Sequence, residues 1–317
     1  MSAKGSWRWW VALLAPGCAA AAAAPPPPPL VIPPATVDDT LDIAGTSVEA
    51  IRRNARLAVG VTIDGRGPYR FVVDSGADGS VIGAGLAAEL GLPAGPPRVV
   101  RATTGAAPAA TVRVGQVQVG GSIVRDLTLP VLAEADLGAQ GMLGIDALED
   151  QRLLLDYERG AIVVQDARRV AAAPEEGEIV VTARRRRGQL ILTQATAGGR
   201  PVQAVIDSGS EVTVGNEALR RRLFSSRRVP PTITPIELIG VTGKSAAADM
   251  IVLPEVTIGR LTFQGVPVAF ADLPPFALFG LADQPALLLG ADVLSLFRRV
   301  ALDFRNRRIR FVLGRGR

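Results

Sequence analysis

FVVDSGA at Phe71–Ala77 and AVIDSGS at Ala204–Ser210 are two versions of one pattern, an apolar strand that runs directly into Asp-Ser-Gly. Glycine after Asp-Ser lets the chain turn sharply and brings backbone amides close to the carboxylate. A single Asp-Ser-Gly is also an ordinary turn tripeptide. Two copies in a duplicated unit are a much stronger signal, and they place Asp74 and Asp207 in equivalent settings.

The duplication extends well beyond these two loops. LAVGVTIDGRGPYRFVVDSG from Leu57 aligns with LILTQATAGGRPVQAVIDSG from Leu190 at a constant offset of 133 positions. MLGIDALEDQRLLLDYERGAIVV from Met142 aligns with LLGADVLSLFRRVALDFRNRRIRFV from Leu288 at an offset of 146 to 147 positions. The second half therefore carries about 13 extra residues between its two signatures, and we expect them in loops. Two units of similar plan predict a pseudo-twofold arrangement.

Short β-prone runs punctuated by Gly and Pro dominate the chain from Leu57 onwards and indicate an all-β fold. Helices are predicted only near 83–90, 146–151, 216–223 and 291–297. We predict five segments along the chain, which are a signal sequence over 1–24, a Pro-rich tether over 25–50, an N-terminal lobe over 51–167, a linker over 168–187 and a C-terminal lobe over 188–317.

The composition excludes several kinds of chemistry. The 317 residues include no His and one Cys, so they cannot supply a Ser-His or Cys-His nucleophile pair, a His zinc site or an intrachain disulfide. Aromatic residues make up 4% and leave few rings for stacking on nucleic-acid bases. The net charge of +5 comes largely from local Arg runs, which we interpret as solvated loops and strand ends. We expect no nucleic-acid partner, no metal and no organic cofactor.

Carboxylates remain as the main candidates for catalysis. If the two units pack about a twofold axis, Asp74 and Asp207 face each other. Two carboxylates about 3 Å apart cannot both ionise cheaply, so they share one proton. The ionised member takes a proton from a water held between them, and the protonated member donates to a scissile carbonyl. This arrangement activates water without a metal or a His.

On these motifs the sequence resembles the retropepsin-like aspartic peptidases, the family of retroviral proteases and their bacterial relatives, over about residues 55–315. Both Asp-Ser-Gly loops match the catalytic loop of that family, and Met142–Leu148 and Leu288–Leu294 match its apolar-apolar-Gly-x-Asp-x-Leu element. The resemblance implies two retropepsin-like β-barrel lobes with the active site between them. It implies an aspartic endopeptidase, acting on a peptide or protein substrate, in which one chain supplies both halves of the site.

The resemblance also assigns roles to residues around the two aspartates. Ser75 and Ser208 would hydrogen-bond across the interface and lock the loops together, and Gly76 and Gly209 would permit their tight turns. A Gly-containing hairpin lies where the family has a substrate-covering flap, at Arg101–Ala107 and again at Ile239–Lys244. The candidate flap residues are Thr104, Gly105, Thr242 and Gly243.

Six further acids are interpreted mainly as structural. We expect Asp146 and Asp292 to lie at helix starts, where a carboxylate favours the amide-rich end. Asp156 and Asp303 end apolar runs and are also expected to be structural. Asp78 and Glu211, four positions beyond the paired aspartates, are interpreted as solvated or locally bonded acids, with tuning of subsite preference as the alternative.

The first residues have the order of an export signal. Lys4 and Arg8 precede a short apolar run, Trp9–Ala15, which is too short to span a membrane. Cys18 also resembles the acylated cysteine of a bacterial lipoprotein signal, so both plain cleavage and a lipid anchor at Cys18 stay open. Either alternative predicts an exported protein, in the periplasm or anchored in the cell envelope.

Two questions stay open at this point. EIVVTARRRR at Glu178–Arg187 is interpreted as an interdomain strand, or as a segment similar to the box by which outer-membrane receptors engage TonB. The alternative to an endopeptidase is a non-catalytic envelope peptide-binding protein on the same fold, and a scaffold that dimerises is a weaker one. We expect a monomer. The sequence does not name the substrate.

Overall fold

A computed structural model of the chain describes residues 46–53, 56–148, 151–168, 178–186, 188–225 and 231–313. For 46–53 it describes the backbone. The predicted signal sequence, Cys18 and most of the predicted tether lie outside the described residues, so export and lipidation stay predictions. The described residues belong to one compact unit, Pro34–Arg317.

The N-terminal lobe is built almost entirely from strands. Its elements in chain order are β1 (Thr46–Arg53), β2 (Arg56–Ile63), β3 (Arg66–Val73), β4 (Val81–Gly83), α1 (Ala84–Leu90), β5 (Ala94–Ala102), β6 (Gly105–Val119), β7 (Ser122–Leu132), α2 (Glu134–Leu137), β8 (Gly141–Leu143), a 3-10 turn (Ile145–Ala147), β9 (Gln151–Asp156) and β10 (Ala161–Asp166).

The C-terminal lobe repeats this order element by element. It contains β11 (Ile179–Arg186), β12 (Gln189–Ala197), β13 (Arg200–Ile206), β14 (Val214–Gly215), α3 (Glu217–Phe224), β15 (Thr234–Ile239), β16 (Ser245–Ile258), β17 (Leu261–Phe270), α4 (Pro274–Leu278), β18 (Ala286–Leu289), α5 (Ala291–Leu294), β19 (Phe297–Asp303) and β20 (Arg308–Leu313). The predicted all-β fold of two pseudo-twofold lobes is therefore confirmed.

Most of the extra residues of the second half lie in two connections, as expected. The connection from α1 to β5 spans 91–93, whereas its counterpart from α3 to β15 spans 225–233. The connection from α2 to β8 spans 138–140, and its counterpart from α4 to β18 spans 279–285. Loops on a surface accept insertions without disturbing the strands that they join.

Buried side chains explain why the strands around the Asp-Ser-Gly loops are so apolar. In each lobe the strand that leads into Asp-Ser-Gly pairs in parallel with a short, fully buried strand, β3 with β8 and β13 with β18. A strand that is buried on both faces reads as a continuous apolar run. These parallel pairs fix the point at which each aspartate leaves the sheet.

A sheet shared by both lobes corrects two predicted boundaries. Its strands follow the order β1, β10, β9, β19, β20, β11, with an antiparallel junction between β9 and β19. The predicted tether over 25–50 overlaps β1, and the predicted linker over 168–187 contains β11. Strand β1 was not predicted, and half of its pairing is with β10, which lies far away in the sequence.

The interdomain-strand interpretation of Glu178–Arg187 fits this sheet. Ile179–Thr182 pairs with β20, and Ala183–Arg186 pairs with β12. In the same way, the first half of β1 pairs with β10 and its second half with β2. The similarity to a TonB box is not tested by these pairings and stays a prediction.

Two buried ion pairs join the lobes across the β9–β19 junction. Arg152 on β9 lies opposite Asp303 on β19, with Nη2 2.8 Å from Oδ2, and Arg299 on β19 lies opposite Asp156 on β9, with Nε 3.0 Å from Oδ2. Arg299 is 1% exposed and Asp156 is 2% exposed. Asp156 and Asp303 are structural, as expected, and each binds the arginine of the other lobe.

The helices are short and lie near the predicted positions, since α1, the 3-10 turn, α3 and α5 occupy or overlap the four predicted segments. The sequence analysis missed α2 and α4, which have only 4 and 5 residues. Across the described residues, none of the helices has both the length and the apolar character required to cross a membrane.

Candidate functional site

The two Asp-Ser-Gly loops emerge at the same edge of the parallel strand pairs. The Asp74 amide donates to the Leu143 carbonyl at 2.9 Å, and the Asp207 amide donates to the Leu289 carbonyl at 3.0 Å. These bonds extend the β3–β8 and β13–β18 pairings by one residue. Both aspartates therefore leave their sheets at equivalent, rigidly held points and enter the cleft between the lobes.

Each carboxylate is turned back onto amides of its own loop. Asp74 Oδ1 accepts from the Gly76 amide at 2.7 Å and from the Ala77 amide at 3.0 Å. Asp207 Oδ1 accepts from the Ser210 amide at 3.1 Å. The two carboxyl groups also lie close together, because each borders the glycine of the opposite loop and the charge of Asp74 acts on Asp207. The structure therefore brings the two predicted aspartates together.

The serines of the two loops hold this pair together. The Ser75 amide donates to Ser208 Oγ at 3.0 Å, and the Ser208 amide donates to Ser75 Oγ at 3.1 Å. Ser75 Oγ donates in turn to the Ile206 carbonyl at 3.0 Å, and Ser208 Oγ donates to the Val73 carbonyl at 2.9 Å. Both serines are buried. The cross-interface bonding that the resemblance implied is thus present and is reciprocal.

Burial and mutual repulsion set the protonation of the pair. Burial is the main cause that raises the pKa of Asp207 to about 8, and the negative charge of Asp74 adds to it. Burial also raises the pKa of Asp74, but the amides of Gly76 and Ala77 and the charge of Arg56 oppose that increase. The negative charge of Asp74 therefore favours the protonated form of Asp207.

Gly76 and Gly209 are required for space and not for an unusual backbone conformation. The chain turns at both positions, as expected, but their φ angles lie outside the left-handed range, so the turn itself does not require glycine. A Cβ on Gly76 would lie 2.7 Å from Asp207 Cγ. A Cβ on Gly209 would collide with the Asp74 carboxyl group even more closely. Each glycine makes room for the carboxylate of the other lobe.

We therefore expect Gly209→Ala to displace the Asp74 side chain and to reduce kcat/KM by about 10²-fold or more, because misplacing a reacting group by about 1 Å has effects of this size. The matched control is Gly79→Ala in the same loop region, where a Cβ would make an ordinary contact 3.5 Å from Asp146 Oδ2. Steady-state kinetics on a cleavable peptide, with unfolding curves for both variants, would measure the difference. Equal activity of the two variants would contradict this account.

Asp146 and Asp292 brace the loops from beneath, which agrees with a structural role. Asp146 accepts from the Ser80 amide at 2.9 Å and from Ser80 Oγ at 2.6 Å, and Ser80 Oγ accepts from the Gly144 amide. Asp292 binds Thr213 in the same way, at 2.9 Å from its amide and 2.7 Å from its hydroxyl. These bonds tie the residues after each Asp-Ser-Gly loop to the segment that follows β8 or β18.

Two polar contacts across the lobes were not anticipated from the sequence. Arg56 Nη2 lies 2.8 Å from Glu211 Oε1, and Gln189 Nε2 donates to Asp78 Oδ1 at 2.6 Å. The interpretation of Asp78 and Glu211 as solvated or locally bonded acids is wrong, because each bonds to the opposite lobe. The signal that could have found them is the offset of 133 positions, which relates Arg56 to Gln189 and Asp78 to Glu211.

The two candidate flaps are hairpin tips that touch each other. The hairpins are β5–β6 and β15–β16, as predicted at Arg101–Ala107 and Ile239–Lys244. Thr104 Oγ1 donates to the Lys244 carbonyl at 2.7 Å. Gly105 and Gly243 have φ angles of 149° and 71°, which favour glycine at these turns. Thr242 directly precedes Gly243 in the second tip.

Between the flaps and the two aspartates lies a cleft of about 1480 Å³. Its two ends are lined by the equivalent short helices of the two lobes. The α2 end presents Glu134 and Asp136, whereas the α4 end presents Pro275, Leu278 and Phe279. The helix at one end therefore contributes two carboxylates, and the helix at the other end contributes apolar side chains.

The cleft chemistry rests on the two carboxylates. Within the described part of the chain, there is no group of three or more His, Cys, Asp or Glu side chains that could hold a metal ion. Two neighbouring carboxyl groups that share one proton can take a proton from one bound atom and donate a proton to another.

The comparison with family models agrees with the duplication of the chain. A family model described as aspartyl protease matches the chain twice, over residues 59–147 and 193–293. No curated protein shows a significant match. Similar solved structures include a retropepsin-like aspartic protease from Rickettsia conorii, with 21% sequence identity, a TM-score of 0.29, and coverage of 43% of this chain and 88% of that chain.

Proposed function

The chain belongs to the aspartyl protease family, with the family domain present once in each lobe, and from this premise we propose that it is an aspartic endopeptidase. Asp74 and Asp207 are the catalytic residues, and a peptide or protein chain bound in the cleft is the substrate. The observation that supports the proposal is the closeness of the two carboxyl groups, in loops that the reciprocal Ser75–Ser208 bonds hold together.

The reaction follows from a pair that carries one proton. The ionised carboxylate removes a proton from a water, whose oxygen attacks the carbonyl carbon of the scissile peptide bond. The protonated carboxyl group donates its proton to the carbonyl oxygen, so a neutral tetrahedral diol forms. The diol then collapses, because the first carboxyl group returns its proton to the leaving nitrogen and the second regains one from a diol hydroxyl. The C–N bond breaks and the pair returns to its starting state.

Rigidity of the pair favours catalysis over simple binding. A reacting water must lie within hydrogen-bond distance of both carboxyl groups, and the proton sharing requires a fixed separation. Serine bonds, buried ion pairs and the shared sheet all hold that separation. A non-catalytic peptide clamp would have no use for two buried carboxylates that repel each other, which makes the alternative function the weaker candidate.

A peptide-library digest by the full chain, with and without a pepstatin-type transition-state mimic, tests the proposal. We expect cleavage that the mimic inhibits and that chelators, thiol reagents and serine reagents leave unchanged. The matched control is the Asp74→Asn variant, which should bind the same peptides without cleaving them. If the wild-type chain binds peptides but cleaves none from about pH 3 to pH 8, the peptide-binding alternative is correct.

A further inference from the structure

The two lobes place different residues opposite their aspartates. The β2–β3 register pairs Ala58 with Val72, and its continuation by two residues brings Arg56 opposite Asp74. The β12–β13 register pairs Ile191 with Val205, and the same continuation brings residue 189, a glutamine, opposite Asp207. The symmetry of the backbone is therefore kept, while a cation stands beside one carboxylate and a neutral amide beside the other.

The acids that bind these two residues increase the difference. Arg56 forms an ion pair with Glu211, so that side of the site is neutral overall, with its cation nearest to Asp74. Gln189 binds Asp78, so that side carries one negative charge with no cation in the contact. Arg56 Nε is buried without a hydrogen-bond partner, so water does not screen this part of the guanidinium group.

Other charged groups lie farther from the pair or are bound elsewhere. Asp146 and Asp292 are bonded beneath the loops to Ser80 and Thr213. The remaining charged side chains that line the cleft are Arg70, Arg98, Arg101, Glu134, Asp136 and Glu237. Among all of these groups, Arg56 is the cation that acts directly on Asp74.

We propose that Arg56 is a positioning residue that makes the two carboxyl groups unequal, so that Asp74 is the ionised base and Asp207 is the protonated acid. This inference rests on the proposed function and gives each aspartate one role in it. Asp74 takes the proton from the attacking water, and Asp207 donates its proton to the carbonyl oxygen. A homologous site with the same residue on both sides would leave these roles interchangeable.

The test compares two variants that break the same ion pair from opposite ends. Arg56→Gln removes the cation and reproduces the residue of the other lobe, so the apparent pKa of the acidic limb of kcat/KM should rise by about one unit. Glu211→Gln removes the anion and leaves the cation uncompensated, so the same pKa should fall. Arg56→Lys keeps the charge and should restore the profile of the wild-type chain.

A purely structural role predicts a different pattern, because both Gln variants would then destabilise the lobes and move the acidic limb in one direction or leave it unchanged. That result would overturn the proposal. If Arg56→Gln does not fold, the near-isosteric Glu211→Gln still tests the proposal. A fall in the apparent pKa of its acidic limb supports the proposal, and an unchanged or raised pKa contradicts it.

A second readout separates this inference from the proposed function. Carboxyl ¹³C NMR of the Asp207→Asn chain follows Asp74 without any need for turnover. An Asp74 pKa that rises when Arg56→Gln is added supports the inference even if the wild-type chain cleaves nothing. An unchanged Asp74 pKa contradicts the inference even if cleavage is observed.

Discussion

Replacing either Asp74 or Asp207 with Asn is expected to reduce kcat for peptide hydrolysis by about 10²- to 10⁴-fold or more, which is the size of effect that proton transfer contributes to catalysis. An amide can neither accept the proton of the attacking water nor donate one as an acid. Because the two groups act as a unit, the double variant should be about as inactive as either single one. Steady-state kinetics on one cleavable peptide would measure all three variants.

The matched control for these variants is Asp283→Asn, which changes an exposed aspartate far along the C-terminal lobe and should keep full activity. Cleavage at the wild-type rate by either single site variant would show that the two aspartates do not act together.

The same variants report on stability. The folded chain holds a proton on Asp207 because the pKa is raised to about 8, whereas the unfolded chain releases it above about pH 4. The wild-type chain should therefore lose stability as the pH rises from about 4 to about 8. Asp207→Asn removes this loss, so at pH 8 that variant should be at least as stable as the wild type. Urea unfolding across this range would verify that inactivity does not arise from unfolding.

Arg299→Met is expected to lower the free energy of unfolding by about 3 to 5 kcal/mol, because it leaves the buried Asp156 carboxylate without its partner. Adding Asp156→Leu should recover most of the loss, since a buried ion pair replaced by apolar side chains of similar volume is often close to neutral. Equilibrium unfolding in urea would measure both changes.

An exposed ion pair provides the control for this comparison. Arg220 Nη1 lies 2.8 Å from Asp249 Oδ2, with side chains that are 28% and 32% exposed. Arg220→Met should cost no more than about 1 kcal/mol, as surface pairs do. A loss for Arg299→Met that is no larger than the loss for Arg220→Met would show that the junction between β9 and β19 does not depend on its charges.

The duplicated sequence predicts much of this architecture. The constant offset between the two Asp-Ser-Gly loops is enough to predict two equivalent lobes and the meeting of Asp74 with Asp207. The prediction of two lobes succeeds because it depends on local strand-and-turn chemistry that is repeated along the chain. The family model supports the resemblance on which the cross-bonding of Ser75 and Ser208 was based.

Contacts that depend on the docking of the lobes could not be predicted from local patterns. Arg152 and Arg299 stand in apolar runs without any sign of their partners, which lie 151 and 143 positions away. The segment of β11 was predicted as an interdomain strand, but its partners β12 and β20 were not identified. Periodicity reports which face of an element is buried, but it does not report what covers that face.

The two different ends of the cleft have a consequence for the direction in which a peptide would bind. A peptide has a direction from its amino to its carboxyl end, and a site with perfect twofold symmetry would accept both directions equally. Here Glu134 and Asp136 mark one end and Leu278 and Phe279 mark the other. Only one orientation of a given peptide can place its basic residue against the acids and its apolar residue against the phenylalanine. Because one chain contains both copies, the sequence of each copy can change independently of the other. We therefore expect the cleft to select substrates by the order of their residues as well as by their composition.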